Sequence, residues 1–94
     1  MALFMVQHIH SADTCPAPDP QMAPGLLKVL AAAPQAGVKV LAEAVVDGQH
    51  ELNLIVEADV AATVETWMAP FAQMGSVSVR PASHCERVVE RGAC

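Results

Sequence analysis

Positive charge is scarce in this sequence. Lys and Arg contribute five of the 94 residues, whereas Asp and Glu contribute ten, and the formal net charge is -5. Nucleic-acid binding takes much of its affinity from Lys and Arg side chains that are clustered against phosphates. The five basic residues are dispersed along the chain, so the composition excludes nucleic acid as a partner.

Long apolar runs are also missing. The opening run MALFMV is far shorter than the roughly 20 residues that a membrane-spanning helix needs, and it lacks the basic region that begins a secretory signal. Cysteine occurs three times, at Cys15, Cys85 and Cys94. An odd count without a signal peptide favours reduced thiols over a disulfide framework. We therefore expect a cytoplasmic protein that does not associate with membranes.

Hydrophobic residues nevertheless make up 53% of the chain. A chain of 94 residues is expected to form one domain, and domains of this size lie near the lower limit for a core that is stable on its own. Pairing with a second copy would bury additional apolar surface. We therefore expect a homodimer.

A β-hairpin over residues 37–58 is the strongest local pattern, because two β-rich runs flank the turn pair Asp47-Gly48. A two-residue loop would place charges on an apolar face, whereas a three-residue loop, Asp47 to Gln49, separates the two faces. The apolar face then pairs Val40, Ala42, Ala44 and Val46 with Val56, Leu54, Leu52 and His50. The second face pairs Lys39 with Glu57 and Glu43 with Asn53.

The segments before the hairpin predict a strand, a loop and a helix. The run from Ala2 to Ile9 is apolar without a helical period and predicts the first strand, although either of its faces could enter the core. Residues 11–20 are rich in Pro, Asp and Ser and form a flexible loop that holds Cys15. Asp19 and Pro20 are typical of a helix start, and Pro34 ends that helix.

The segments after the hairpin predict a second helix, a last strand and a tail. Asp59 is the expected cap of the helix, and Pro70 is expected to stop or kink it near Ala69. The alternation over residues 76–81 predicts the fourth strand, which completes a single domain over residues 1–82. Residues 83–94 form a C-terminal tail, which contains His84, Cys85 and Cys94 and could include a short helix.

The element order β-α-β-β-α-β is that of an α+β, ferredoxin-like sandwich with an antiparallel sheet. Right-handed crossovers place strand three between strands one and two, and strand four on the other side of strand one. In this order and in its length the chain resembles the dimeric α+β-barrel superfamily. The resemblance implies that two sheets face each other around a lumen, which here would be lined by the polar residues Glu43, Asn53, Glu57, Ser78 and Arg80. It also implies an alternative function, that of a monooxygenase- or isomerase-like enzyme acting on a small organic ligand.

Three histidines converge in this topology. The first strand ends at His8 and His10, which alternate to one side, and its neighbour, the third strand, begins at His50. If Phe4 and Val6 face the helices, all three imidazoles share that face. With Cys15 from the adjoining loop they form a ligand set suited to zinc, copper, nickel or iron. The sequence thus predicts a small metal-binding protein, and histidines that are simply solvated are the structural alternative.

Other residues carry weaker signals. Cys15 could instead be a redox-active or nucleophilic thiol if a histidine lowers its pKa, or an ordinary loop cysteine. The stripe Trp67, Met68, Phe71 and Met74 has the spacing of core residues rather than of a ligand pocket. Carboxylates in the lumen could act as acids and bases, but cross-strand ion pairs are the simpler interpretation. A stress-responsive or interaction module without catalysis completes the set of alternatives.

Overall fold

The computed structural model describes residues 1–94, which form an α+β domain with one four-stranded antiparallel sheet and four helices. The strands are β1 (Ala2–His10), β2 (Lys39–Val45), β3 (Glu51–Ala58) and β4 (Gly75–Ala82). The helices are α1 (Met22–Ala31), α2 (Ala61–Trp67), α3 (Ala69–Ala72) and α4 (Cys85–Arg91). The sheet order is β2-β3-β1-β4, with every neighbouring pair antiparallel, so β3 and β4 flank β1 as predicted.

Alternation along the central strands fixes which face is covered. Phe4, Val6 and His8 on β1 are buried, and the residues between them are half-buried. This settles the orientation that the sequence left open, because Phe4 and Val6 point toward the helices. The core comprises twelve apolar residues: Phe4, Val6, Ala33, Val38, Leu52, Leu54, Val56, Ala58, Val64, Trp67, Met68 and Phe71. The predicted core role of the stripe on α2 and α3 is confirmed.

A β-bulge changes the predicted register of the hairpin. Lys39 pairs with Glu57 and Val40 with Val56, as expected, but the register shifts by one residue before Ala42. The connection is accordingly one residue longer than predicted, because the Val46 N–H donates to the Glu51 carbonyl at 3.1 Å. A shift of one residue turns the following side chains to the opposite face.

The side chain most affected by this bulge is Glu43. Its partner across the strands is Leu54, which is buried on the helix side of the sheet, instead of the predicted Asn53. Because residues directly opposite each other share a face, Glu43 lies on the helix side. Its predicted place in a lumen on the other face is therefore wrong, whereas Asn53, Glu57, Ser78 and Arg80 do share that open face through their pairing with β1.

Helix α1 begins beside the Asp19 carboxylate and is partly exposed along its whole length. The Asp19 carboxylate accepts hydrogen bonds from the backbone N–H groups of Gln21 at 2.8 Å and of Met22 at 3.1 Å, as a capping side chain does, although the helix begins at Met22 and Gln21 holds the cap position. No residue of α1 is fully buried. Its inner side chains, including Leu26 and Leu30, are partly buried and pack against the core. Leu26 and Leu30 also line a cleft between the helix and the hairpin.

The second helical segment is divided as its proline predicts. Helix α2 ends at Trp67 and α3 begins at Ala69, because Pro70 cannot donate the hydrogen bond that would continue the helix. The predicted cap at Asp59 is wrong, since Val60 holds the cap position without a side-chain hydrogen bond. The Trp67 indole N–H donates to the Val29 carbonyl at 2.8 Å, which ties α2 to α1.

The sheet face opposite α1, α2 and α3 is half-buried along its central strands, and α4 borders it beside Leu3. It carries an apolar group, including Leu3, Met5 and Ile55, next to a polar network in which Gln7 donates to Glu51 at 3.2 Å. The molecule is a slab of 46 × 29 × 17 Å. Its helices are all too short or too polar to cross a membrane.

Candidate metal centre

The end of β1 and the start of β3 lie side by side, as the strand order requires. The backbone N–H of His10 donates to the backbone carbonyl of His50 at 3.1 Å, which holds the two strands together beyond their last paired residues. The two imidazole rings meet edge to face with centroids 5.1 Å apart. The sheet therefore fixes two nitrogen donors from residues 40 positions apart in the sequence.

The loop before α1 brings Cys15 to the same place. Residues Ala12–Thr14 form a 3-10 turn, and the Thr14 hydroxyl donates to the Met74 carbonyl at 3.0 Å, which anchors the loop beside the start of β4. The next residue after Cys15, Pro16, is buried. These contacts place the Cys15 thiol against the histidines, so the loop expected to be flexible is instead tied to the domain.

Three of the four predicted ligands form one group. The donor atoms of His10, Cys15 and His50 all lie within 4.8 Å of one another, and all three residues are half-buried. His8 is not a member of this group. The structure therefore brings together a thiol and two imidazoles and places the fourth predicted residue behind them.

His8 is buried, with 1% of its surface exposed, and both of its ring nitrogens have partners. Its Nδ1 lies 3.0 Å from the Ser76 carbonyl, and its Nε2 lies 3.1 Å from Nδ1 of His10. A carbonyl oxygen only accepts, so Nδ1 of His8 carries the hydrogen. In the neutral ring Nε2 is then an acceptor, and it receives the hydrogen bond that Nδ1 of His10 donates.

The surroundings of His8 and His10 favour the neutral form of both imidazole rings. Burial lowers the pKa of His8, the Ser76 carbonyl opposes this by favouring the charged ring, and repulsion from His10 lowers it further. Burial also lowers the pKa of His10, and the neighbouring His50 adds to the effect. Neutral imidazole is the form that binds a metal ion, so the lowered pKa of His10 favours the ligating form of this ring near neutral pH.

The tautomer of His10 leaves one nitrogen without a partner. Since Nδ1 carries the hydrogen, Nε2 presents a lone pair, and it is the only buried side-chain nitrogen or oxygen with no hydrogen-bond partner. A buried polar atom in this condition costs about 1–3 kcal/mol. An electron-pair acceptor, such as a metal ion bound between His10, Cys15 and His50, would remove this cost.

The chemistry of the donors suits a transition metal ion. Two imidazole nitrogens and a thiolate are borderline-soft ligands of the kind that zinc and copper prefer. Three protein ligands leave a fourth tetrahedral position open, which is the arrangement of catalytic rather than structural zinc sites. The hydrogen bond from His10 to His8 orients the ring, as metal-binding histidines usually require.

The remaining cysteines and histidine lie elsewhere. His84, Cys85 and Cys94 are exposed in the C-terminal segment, where Cys85 begins α4. They form no second donor group. A residue that the sequence reasoning missed at this site is Glu43, which the bulge turns toward the cleft that His10 and His50 line.

The whole chain, apart from its two ends, corresponds to one family. Residues 2–93 match the model of a domain of unknown function, DUF3303. No curated protein matches the chain. The match includes β1, the Cys15 loop and β3, which supply the donor group, and it extends through α4. The chain therefore belongs to the DUF3303 family.

Proposed function

We propose that this protein binds one transition metal ion through His10, Cys15 and His50. The observation that carries the proposal is the buried Nε2 atom of His10, which has no protein partner, in a residue that forms a group of three donors within 4.8 Å with Cys15 and His50. Hydrogen bonds through His8 to the Ser76 carbonyl fix the ring that presents this atom. A solvated group of histidines would not need such an arrangement.

Zinc is the ion that fits these ligands best. Metal–nitrogen and metal–sulfur distances of about 2.0 and 2.3 Å in a tetrahedral site imply donor atoms roughly 3.3–3.7 Å apart. The donors here lie within 4.8 Å of one another, so the two atoms of any pair need to approach each other by about 1.5 Å at most. Cys15 and His50 are half-buried and can supply it by rotating their side chains, whereas His10 is held in place.

Metal analysis of protein purified without an affinity tag tests this function. We expect one zinc ion per chain, taken up after addition of Zn²⁺ and retained through gel filtration. The variants His10→Ala, Cys15→Ala and His50→Ala should each lose it. The matched control is the double variant His84→Ala/Cys85→Ala, which removes the same donor types from the exposed segment and should bind normally. Stoichiometric zinc in all three site variants, or none in the wild type, would refute the proposal.

We further propose that the domain is ferredoxin-like and pairs with a second copy through the open face of its sheet. The chain exposes 6055 Å², against the about 5,200 Å² expected for a folded monomer of its mass. Its radius of gyration is 14.2 Å, against about 12 Å expected for its length. The exposed area in excess of this expectation is similar to the area that each partner buries in a standard interface, which is about 800 Å².

A further inference from the structure

The donor group lines one wall of an apolar cleft. The cleft has a volume of about 530 Å³ and lies between α1, the end of β1 and the hairpin. Its apolar wall is formed by Leu26, Leu27 and Leu30 of α1, Val45 and Leu52 of the hairpin, and Phe71 of α3. Its volume falls in the range of about 300–1,000 Å³ that pockets for small organic molecules occupy.

Two features of the fold create this cleft. Helix α1 buries none of its residues completely, so its leucines face the space instead of filling it. The bulge in β2 turns Val45 and Glu43 toward the same space. An apolar molecule in the cleft would bury the apolar side chains that line it. This burial would contribute about 25 cal/mol of binding free energy per Å² of apolar surface.

An ion held by His10, Cys15 and His50 would be part of this wall. The protein supplies three ligands and leaves a fourth position free, and the cleft is the space that all three donor residues line. The charges also constrain a ligand at that position. A divalent ion with one thiolate and two neutral imidazoles carries a net single positive charge, and Glu43 is the only carboxylate that lines the cleft. The two charges balance, so an additional anion would not be favoured over a neutral molecule.

We propose that the cleft binds a small, mainly apolar molecule whose neutral donor group occupies the open position on the metal ion. This inference rests on the metal binding proposed above and specifies the chemical class of the ligand. The leucines and Phe71 recognise the apolar body, and the metal ion recognises the donor. A polar donor alone would gain nothing from the cleft, and an apolar body alone would gain nothing from the ion.

Cobalt-substituted protein provides the test, because the visible absorption of Co²⁺ changes when its ligands change. The probes are imidazole and 4-phenylimidazole, which share a donor and differ by one phenyl ring. We expect 4-phenylimidazole to bind roughly 10- to 100-fold more tightly, as burial of a phenyl ring predicts. Equal affinities, or benzoate binding more tightly than 4-phenylimidazole, would overturn the inference while leaving metal binding intact. Failure of the wild-type protein to bind Co²⁺ would overturn the proposed function as well.

Filling the cleft provides the matching variant. Leu26→Trp places a large ring in the cleft and should abolish the preference for 4-phenylimidazole while leaving the Co²⁺ affinity unchanged. Ala23→Leu places a smaller side chain in the cleft from the same helix and should partly reduce the preference. It provides the test if Leu26→Trp does not fold. Leu41→Trp is the control, because Leu41 lies in the same hairpin but outside the cleft. A preference that survives both cleft variants would overturn the inference.

Discussion

Nδ1 of His10 donates a hydrogen bond to Nε2 of His8 over 3.1 Å. The two rings lie on the same face of β1, with centroids 5.0 Å apart. His8 in turn donates to the Ser76 carbonyl at 3.0 Å, so a backbone group of β4 determines which nitrogen of His10 is free to bind a metal ion. His8 is in this view a positioning residue for a donor that lies two residues farther along the strand.

Replacing His8 tests this positioning role. His8→Phe leaves Nδ1 of His10 without an acceptor and should weaken zinc binding by about 10- to 100-fold, as loss of the group that orients a metal-binding histidine does elsewhere. His8→Gln can still donate to Ser76 and accept from His10, so it should restore most of the affinity. The measurement is a zinc competition titration against a chromophoric chelator.

A core truncation on the same strand separates positioning from stability. Val6→Ala removes two methyl groups from a residue that is 1% exposed, and such truncations cost about 1–3 kcal/mol in a core. It should lower the free energy of unfolding without changing the zinc affinity of the folded protein. If Val6→Ala weakens zinc binding as much as His8→Phe does, His8 has only a structural role.

Metal binding should stabilise the domain against heat. An ion that binds only the folded state at a free concentration of 100 times its dissociation constant contributes about 2.7 kcal/mol. For a domain of this size that corresponds to an increase in Tm of roughly 10–20 °C. Calorimetry with Zn²⁺ and with a chelator measures the difference. Cys15→Ala should show almost none of it, and an equal increase in that variant would contradict the assignment of the ligand.

The neighbourhood of the donors could be predicted from the sequence because it follows from element order. Once the chain is divided as β-α-β-β-α-β, right-handed crossovers make β1 and β3 neighbours, and the ends that carry His10 and His50 must meet. Alternation then places His8 on the same face as His10. Cys15 must lie near these strand ends, because only four residues separate it from the end of β1.

The role of His8 and the orientation of Glu43 could not be predicted in this way. His8 is fixed by the hydrogen bond that it donates to the carbonyl of Ser76, which is 68 residues distant, and this contact depends on the register of β4. The bulge before Ala42 leaves no mark in the sequence, because Val40, Leu41 and Ala42 are all apolar and fit either register. The cleft depends on how far α1 stands from the sheet, which is a result of packing and not of periodicity.

The open sheet face makes a separate prediction about assembly. Met5 and Ile55 are directly paired on this face and are half-buried in the single chain. The wild type should sediment at twice its chain mass of 9.9 kDa, and Ile55→Lys should sediment as a monomer, because an interface cannot bury an unpaired charge without a large cost. Thr66→Lys, on the exposed side of α2, is the control and should remain dimeric. A monomeric wild type would refute the dimer.

Two glycines should respond to alanine in opposite directions. Gly48 has a φ of 76° in the hairpin loop, where a Cβ is strained, and Gly48→Ala should destabilise the domain by about 1–2 kcal/mol. Gly25 lies in α1 with no atom near the position that a Cβ would occupy, so Gly25→Ala should stabilise by about 0.5–1 kcal/mol. Urea unfolding measures both. Destabilisation by Gly25→Ala would show that α1 packs differently.

The acid sensitivity of the domain should depend in part on Asp19. Hydrogen bonds from the backbone N–H groups of Gln21 and then Met22 lower the pKa of its carboxyl group. The carboxylate therefore stabilises the folded state fully above the unfolded pKa of about 4. This contribution is lost as the pH falls through the lower, folded value.

Asp19→Asn keeps an acceptor for the helix start but cannot titrate. The wild type should be more stable than this variant at pH 6, and the difference in the free energy of unfolding should shrink progressively below about pH 4. Urea titrations of both proteins across this range provide the measurement, with Asp47→Asn in the hairpin loop as a control. A difference that stays constant with pH would mean that the hydrogen bonds at α1 do not favour the charged form of Asp19.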